Sequence, residues 1–389
     1  PTVATHPMPS NTASTAPLTR LIIASTPARF FNCLDNRKPV TALVCKRANT
    51  GSLVEYASND GIELVCPLVS PGSHMSRHSR NLSLAVALLT AWTGGCGEDA
   101  PIATPATIPG KLIRDDTGRL EVVTLKEQSV TRDELQSIVR DGSSSLKSLN
   151  LIRCRIPVGS LELLSGLEQL DYLDLRGSSI TDPDLEHVGR LQTLTVLDLH
   201  DTRVTDVGVE HLRELTNLKS LGLYKTDITN AALAHVAKMD QLDLITVTET
   251  QINDDGLKHL ERLPQIRYLD IAQTPITGRG LKHVTGMSNL IDLNLTYCRN
   301  FNDAGLAHVR AFPKLEELVL FRTSITDTGM PHIAGLHELK WLVLRCTRIT
   351  DNALVHLAKM QKLEVLLAEL TQITDNGLDH ITKLRSLKN

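Results

Sequence analysis

Aromatic residues are scarce in this chain of 389 residues, where Phe, Trp and Tyr together make up 3%. A packed interior must therefore be built from aliphatic side chains. An excess of basic charge is also lacking, because the formal net charge is −3, and this argues against nucleic-acid binding. The seven cysteines show no CxxC pair and no zinc-ligand spacing, so they indicate neither a disulfide framework nor a zinc site.

Sequence motifs of catalysis are missing as well. The chain contains no GxSxG, no Walker loop, no HExxH and no dinucleotide-binding fingerprint. Their absence favours a binding protein over an enzyme, and we expect neither a catalytic residue nor a cofactor.

What the chain has in abundance is a repeat, in which leucines recur in the pattern LxxLxL. Successive copies are 24 residues apart, except for one step of 25 residues that adds a residue near Arg299 and Asn300. The first positions of the copies are Leu146, Leu170, Leu194, Leu218, Leu242, Ile266, Leu290, Leu315, Leu339, Leu363 and Leu387. Such a fixed period predicts a solenoid of stacked units.

Each repeat reads as one strand followed by one helix. The LxxLxL segment alternates with period two, which predicts a short strand with its leucines facing inward. A Thr-Asp pair such as Thr205-Asp206 then offers two candidate N-caps for a helix. Apolar residues follow at helical spacing, as in Val209, Leu212 and Leu215. Stacked copies predict an α/β repeat fold with a curved parallel sheet inside and helices outside.

A threonine follows most of the predicted strands and should face inward, where its hydroxyl satisfies backbone groups of the turn. This column contains Thr202, Thr226, Thr250, Thr274, Thr323, Thr347 and Thr371, with Ser178, Cys154 and Cys298 as variants. We therefore expect Cys154 and Cys298 to be buried and unreactive. Cys346 lies one place earlier and is expected to be exposed.

The unit LxxLxLxxTxITDxGLxHLxxL resembles the bacterial leucine-rich repeats related to the cysteine-containing subclass. The resemblance covers residues 120–389 and implies a leucine-rich-repeat solenoid. F-box ubiquitin-ligase receptors use a similar unit, but no segment of this chain reads as an F-box. We assign residues 146–389 to the solenoid and residues 111–145 to an N-terminal capping repeat. In this capping repeat, Ile113 to Leu120 should form a turn that leads into a capping strand.

The front of the chain carries an export signal. Residues 75–96 begin with basic residues, continue with an apolar run over 82–92 and end with small residues before Cys96, as in a signal peptide with a lipobox-like end. We expect Met75 to be the working start, residues 1–74 to be a disordered or upstream leader segment, and residues 97–110 to be a flexible tether. Lipidation of Cys96 would make the protein an exported, membrane-anchored lipoprotein, periplasmic or at the cell surface.

Two groups of polar residues could suggest metal binding. Nine of the fourteen histidines recur at one repeat position: His187, His211, His235, His259, His283, His308, His332, His356 and His380. Helices pack about 8–10 Å apart, so these rings should not converge on an ion and are expected to pack along the outer face. Asp174 and Asp198 share a strand position in adjacent repeats and are weak calcium candidates, but two solvated carboxylates without a special role is the preferred interpretation.

Large side chains gather on the strand positions that face the concave side. Tyr172, Tyr224, Tyr268, Tyr297, Phe321 and Trp341 all fall there. Exposed aromatics together with arginine are typical of binding hot spots. The predicted partner-binding residues are Tyr268, Tyr297, Phe321, Arg322, Trp341 and Arg345.

These patterns predict a non-catalytic protein-binding module, tethered at a membrane surface, that takes a protein or peptide on its concave face. Two alternatives remain open. One is a calcium-dependent binder of glycans or surfaces, and the other is an F-box-like ubiquitin-ligase substrate adaptor.

Overall fold

A computed structural model describes residues 44–47, 53–57, 63–67, 110–382 and 384–388. The chain divides into two compact units, of which the second is Ala103–Lys388. In the first unit, strands β1 (Val44–Arg47), β2 (Leu53–Ala57) and β3 (Glu63–Pro67) form an antiparallel sheet in that order. No strand was predicted there from the sequence. The predicted signal peptide, Cys96 and the tether up to residue 109 lie outside the described residues.

The second unit contains a twelve-stranded sheet, in which the strands follow one another in chain order. Its strands are β4 (Lys111–Arg114), β5 (Leu120–Lys126), β6 (Ser148–Ile152), β7 (Tyr172–Asp174), β8 (Val196–Asp198), β9 (Ser220–Gly222), β10 (Leu244–Thr246), β11 (Tyr268–Asp270), β12 (Asp292–Asn294), β13 (Glu317–Val319), β14 (Trp341–Val343) and β15 (Val365–Leu367). The strand β4 is antiparallel to β5, and every later pair is parallel. The predicted α/β solenoid with a parallel sheet is confirmed.

A helical segment returns the chain after each strand from β5 onward. The α-helices are α1 (Arg132–Gly142), α2 (Asp182–Val188), α3 (Asp206–His211), α4 (Asn230–Val236), α5 (Asp303–Val309), α6 (Asp351–Leu357) and α7 (Leu378–Ile381). The remaining segments are 3₁₀ helices at Ser160–Gly166, Gly256–Arg262, Arg279–His283, Asp327–His332 and Asp375–Gly377. The apolar spacing predicted α-helices throughout. A single short turn tightens easily to 3₁₀ geometry, and Pro331 lies inside one such segment.

The core is a stack of aliphatic layers, one from each repeat. Leucines at equal strand positions pair across the sheet, as in Leu149, Leu173 and Leu197, which are all fully buried. The inserted residue near Asn300 leaves this register intact, because Asp292 still pairs with Glu317. The turn absorbs the extra residue and buries Phe301 completely.

The end of each strand turns through one residue in the left-handed region. Among the described residues, ten other than glycine have a φ between 53° and 59°: Glu127, Arg153, Asp201, Lys225, Glu249, Gln273, Tyr297, Arg322, Cys346 and Leu370. The threonine that follows donates its hydroxyl to the carbonyl oxygen three residues earlier, as from Thr202 to Leu199 at 2.7 Å. The predicted inward role of the threonine column is confirmed, and it acts within its own repeat.

The two cysteines of this column are buried, as predicted, with exposed fractions of 1% for Cys154 and 0% for Cys298. Cys298 Sγ reaches the neighbouring repeat and donates to the carbonyl oxygen of Ile271 at 3.2 Å. Burial raises the pKa of both thiols, which keeps them neutral. Cys346 was expected to be exposed, but it is half-buried.

A second polar column joins several of the helical segments to the next repeat. Thr205 is the N-cap of α3, and its hydroxyl accepts a hydrogen bond from the backbone N–H of Val207. Asp206, the other candidate cap, instead reaches forward to Thr229. Its Oδ1 accepts from the backbone N–H of Thr229 at 2.7 Å and its Oδ2 from the hydroxyl at 2.6 Å. The same link joins Asp182 to Thr205, Asp254 to Thr277, Asp303 to Thr326, Asp327 to Thr350 and Asp351 to Thr374.

The predicted turn between Ile113 and Leu120 leads into β5. The strand before it, β4, was not predicted from the sequence, and it forms a hairpin with β5 and covers one end of the parallel sheet. Asp115 holds the turn, because its Oδ1 accepts hydrogen bonds from the backbone N–H groups of Thr117 and Arg119, both at 2.9 Å. A hydrogen bond from the Thr117 hydroxyl, followed by these two backbone hydrogen bonds, lowers the pKa of Asp115 to about 2. Across the described residues, no helix has the length and apolar character needed to span a membrane.

Candidate functional site

The strand residues that alternate with the core leucines form the open face of the sheet, which is the face turned away from the helices. Five of the six aromatic residues that the sequence analysis placed on this face are half-buried: Tyr172, Tyr224, Tyr268, Tyr297 and Trp341. The sixth, Phe321, is only 7% exposed. The expectation of an exposed ring at Phe321 is therefore wrong, because neighbouring side chains cover it.

A contiguous cluster is formed by Tyr297, Phe321, Arg322 and Arg345, and we call it the arginine–aromatic cluster. The rings of Tyr297 and Phe321 meet edge to face, with centroids 5.1 Å apart. Arg322 Cζ lies 5.1 Å from the Tyr297 centroid and 5.7 Å from that of Phe321. Arg345 Cζ lies 5.8 Å from the Phe321 centroid, as expected for side chains at one position of adjacent strands. Such cation–π contacts stabilise each pair by about 0.5–1 kcal/mol where water has access.

Two charged residues that the sequence analysis missed adjoin this cluster. Glu369 on the next repeat lies 3.2 Å from Arg345 Nε, and both side chains are about one-third exposed. Arg299 Cζ lies 5.9 Å from the Tyr297 centroid, on the far side of the insertion. Glu369 shares its repeat position with Arg345, so the register alone could have identified the pair.

The strand residues of the open face change from polar to apolar along the sheet. The last strand position is occupied by Val319, Val343 and Leu367 in β13, β14 and β15, and all three are buried. Trp341 lies on the same strand as Val343 and is half-buried. Apolar surface and guanidinium groups are thus combined in one region of the face.

Tyr268 lies apart from this cluster. Arg267 Cζ lies 5.3 Å from its ring centroid, and Arg267 is itself bound to Asp243, with 2.6 Å between Nε and Oδ1. Within the part of the chain that the structure describes, no ring or cation contact joins Tyr268 or Trp341 to the cluster. The structure therefore brings four of the six predicted binding residues into direct contact.

The opposite end of the open face is acidic. Its carboxyl groups were expected to be solvated, but they are buried. Asp174 is fully buried and Asp198 is 2% exposed. Arg176 Nη2 lies 2.9 Å from Asp174 Oδ2, and His200 Nδ1 lies 3.2 Å from Asp198 Oδ1. Gly222 leaves room for His200, since a Cβ there would lie 2.5 Å from His200 Nε2. The adjacent guanidinium makes this pair a poor calcium site, because it already neutralises one carboxylate.

The histidine column lies in the last turns of the helical segments, on the outer side. All nine rings are half-buried, which fits the expected packing role. Among the described residues, no three His, Cys, Asp or Glu side chains are arranged to hold a metal ion. A shallow cavity of about 620 Å³ opens on this side between Ala234 and Arg262.

Comparison with known proteins agrees with the repeat architecture. The family described as "Leucine Rich repeat" matches residues 190–212. No curated protein matches the chain. An internalin from Listeria monocytogenes is 19% identical, with 67% of this chain and 88% of that chain covered and a TM-score of 0.44.

Two further solved structures are similar to this chain. A leucine-rich-repeat protein from Leptospira interrogans is 15% identical, with coverage of 69% of this chain and 89% of that chain and a TM-score of 0.44. The ectodomain of a plant receptor kinase from Arabidopsis thaliana, solved in complex with Casparian strip integrity factor 2, is also 15% identical, with a TM-score of 0.43. The match covers 68% of this chain and 38% of that ectodomain.

Proposed function

We propose that this leucine-rich-repeat protein is a non-catalytic protein-binding module that takes its partner on the open face, between Tyr268 and Arg345. The arginine–aromatic cluster carries the proposal. Stacked arrays of repeats commonly bind partners on such extended sheet surfaces. The cluster also combines the two residue types most enriched at binding hot spots, aromatic and arginine.

The charge of the cluster indicates the chemistry of the partner. A guanidinium that lies over an aromatic ring keeps its N–H edges directed sideways, where they can donate to a carboxylate. Arg322 is exposed and lies between two rings of the cluster. An acidic protein or peptide with an apolar side chain beside its carboxylate would match both the guanidinium groups and the ring of Trp341.

Alanine variants of the half-buried rings test the proposal. Tyr297→Ala and Trp341→Ala should each weaken binding of a captured partner by about 2 kcal/mol or more, if these rings are hot spots. Tyr224→Ala is the matched control, because Tyr224 is also a half-buried tyrosine of the open face but lies outside the cluster. His187→Ala on the outer side should leave the affinity unchanged.

Calorimetric affinities and melting curves of the four variants would separate lost contacts from lost folding. A large loss at His187 together with small losses at Tyr297 and Trp341 would place the binding site on the outer side and end the proposal.

We also propose that the protein is exported and held at a membrane by lipid attached to Cys96. The support is the sequence alone, with Arg77 and Arg80 before an apolar run and small residues before the cysteine. Protein expressed from Met75 should be processed at Cys96 and recovered with membranes. Cys96→Ala should abolish processing or release the protein. Recovery of unprocessed wild-type chain outside the membrane fraction would contradict this part of the proposal.

A further inference from the structure

Two carboxyl groups lie side by side beneath the open face, away from the proposed binding region. Asp174 and Asp198 occupy paired positions in the parallel strands β7 and β8. Adjacent strands are about 4.8 Å apart, so side chains at paired positions are immediate neighbours. Both side chains are at least nine-tenths buried. Two carboxylates at this separation in a poorly solvated site repel each other strongly.

The groups around the pair can neutralise only part of this charge. Asp174 Oδ1 accepts a hydrogen bond from the backbone N–H of Arg176 at 3.1 Å, and the Arg176 guanidinium lies 2.9 Å from Oδ2. Asp198 Oδ1 accepts from the backbone N–H of His200 at 3.0 Å. Asp198 Oδ2 is buried and accepts no hydrogen bond from any described residue. A buried carboxylate oxygen without a donor is energetically costly.

Asp270 shows how the same strand position is treated when a single carboxylate occupies it. Its Oδ1 accepts hydrogen bonds from the Thr248 hydroxyl at 2.6 Å and from the backbone N–H of Ala272 at 3.1 Å. Its Oδ2 accepts from Asn294 Nδ2 at 3.2 Å. Both neighbouring repeats thus supply donors to Asp270. Asp174 and Asp198 instead each have the other acid at the paired position of the adjacent strand.

We propose that Asp174 and Asp198 hold one proton between them at neutral pH, as a carboxyl–carboxylate hydrogen bond that involves Asp198 Oδ2. This proton makes the β7–β8 end of the open face responsive to pH. Its release leaves two negative charges beside one guanidinium and weakens the pairing of β7 with β8. The inference does not depend on the proposed function, because it concerns a different part of the sheet.

The electrostatics of the surrounding groups agree with a shared proton. Burial, followed by the negative charge of Asp198, raises the pKa of Asp174 to about 7, against the lowering effect of Arg176. The titratable and charged neighbours come from four successive repeats. They are Cys154 after β6, Tyr172 on β7 with Arg176 just after it, His200 after β8, and Tyr224 after β9, whose ring contacts that of His200. Burial raises the pKa of both Tyr172 and Cys154, so both stay neutral and neither adds a further negative charge.

The raised pKa fixes the direction of the pH effect. Between the ordinary value of 3.8 and about 7, the folded chain binds a proton that the unfolded chain has released. The pair's contribution to stability is therefore greatest at low pH, falls as the pH rises through this interval, and is constant above it. Histidines titrate in the same range, so the test compares variants at each pH rather than wild type alone.

Melting midpoints of the full chain between pH 5 and 8.5 test the proposal with isosteric amides. D174N places an amide N–H beside Asp198 Oδ2 and removes the repulsion. D174N should raise the melting midpoint at pH 8 by about 5 °C. It should also remove most of the fall in melting midpoint that the aspartate pair causes as the pH rises. D198N should raise the melting midpoint and reduce its pH dependence in the same way, because it replaces the other carboxyl group of the pair. D270N is the matched control, which should lower the midpoint at every pH and keep the slope of the wild type.

Two further measurements make the result decisive. Infrared difference spectra should show the carbonyl band of a protonated carboxylic acid near pH 6 in the wild type and in D270N, but in neither D174N nor D198N. Calcium chloride should leave the wild-type midpoint at pH 8 unchanged. The proposal is overturned if D174N and D198N keep the wild-type slope, if the band persists in both, or if calcium stabilises the wild type but not D174N.

Discussion

Gly329 has no space for a side chain, because the carboxylate of Asp303 from the preceding repeat fills it. A Cβ at Gly329 would contact Asp303 Oδ1 and would lie 2.9 Å from Leu306 Cδ2. Gly329→Ala should therefore lower the free energy of unfolding by about 1–3 kcal/mol in urea titrations, the usual cost of overpacking. Gly335→Ala is the control, because a Cβ there meets no atom within 4 Å. Equal stability of the two variants would refute this account.

The sequence predicted which face of the sheet each strand residue occupies, but it did not predict how deeply the side chains on the open face are buried. Period-two alternation correctly placed Phe321 and Asp174 on the face opposite the core leucines. Their burial depends on neighbours from other repeats, such as the Arg345 guanidinium over Phe321 and Arg176 beside Asp174. Long side chains fold over their neighbours in ways that periodicity does not encode.

Aspartate carboxylates link consecutive helical segments by hydrogen bonds that were not predicted from the sequence. A Thr-Asp pair before a helix reads as two alternatives for one cap, and only the structure shows that the threonine caps and the aspartate reaches forward. The link spans 23 residues, so no local pattern reveals it. A partial signal is the glycine that lies against several of these carboxylates, as at Gly208, Gly329 and Gly377, although Ala232 occupies the same position beside Asp206.

Removing one such link should loosen the contact between two consecutive helical segments. Asp327 Oδ1 accepts from the backbone N–H of Thr350 at 2.7 Å, and Oδ2 accepts from its hydroxyl at 2.6 Å. Asp327→Ala should cost about 1–3 kcal/mol of unfolding free energy, because the Thr350 groups lose their acceptor.

Two comparisons check the cause of that loss. Asp327→Asn should cost less, since Asn230 at the equivalent position still accepts from the backbone N–H of Asn253 at 3.0 Å. Asp375→Ala should have little effect, because Asp375 makes no such link among the described residues. Similar losses for all three variants in urea titrations would show that the link to the next repeat is not the cause.

Across the whole solenoid, each repeat contacts only its sequence neighbours, and β4 to β15 pair strictly in chain order. The stability of such an array is approximately a sum of repeat terms and nearest-neighbour terms. A defect in one repeat should therefore weaken the adjacent repeats first and leave distant ones protected. The twelve-strand order was predictable from the repeat period, whereas the cooperativity along the array depends on the strength of each interface.

Leu318→Ala tests this local spread, because Leu318 is fully buried at the centre of β13 and pairs with Leu293 and Leu342. The cavity should cost about 2–5 kcal/mol. Hydrogen exchange measured by mass spectrometry should accelerate in β12 to β14 and stay slow in β5 to β7. The matched variant Leu149→Ala, equally buried in β6, should reverse this pattern. If exchange accelerates uniformly along the sheet in both variants, the solenoid opens as one cooperative unit. In that case a defect in either repeat destabilises every strand equally.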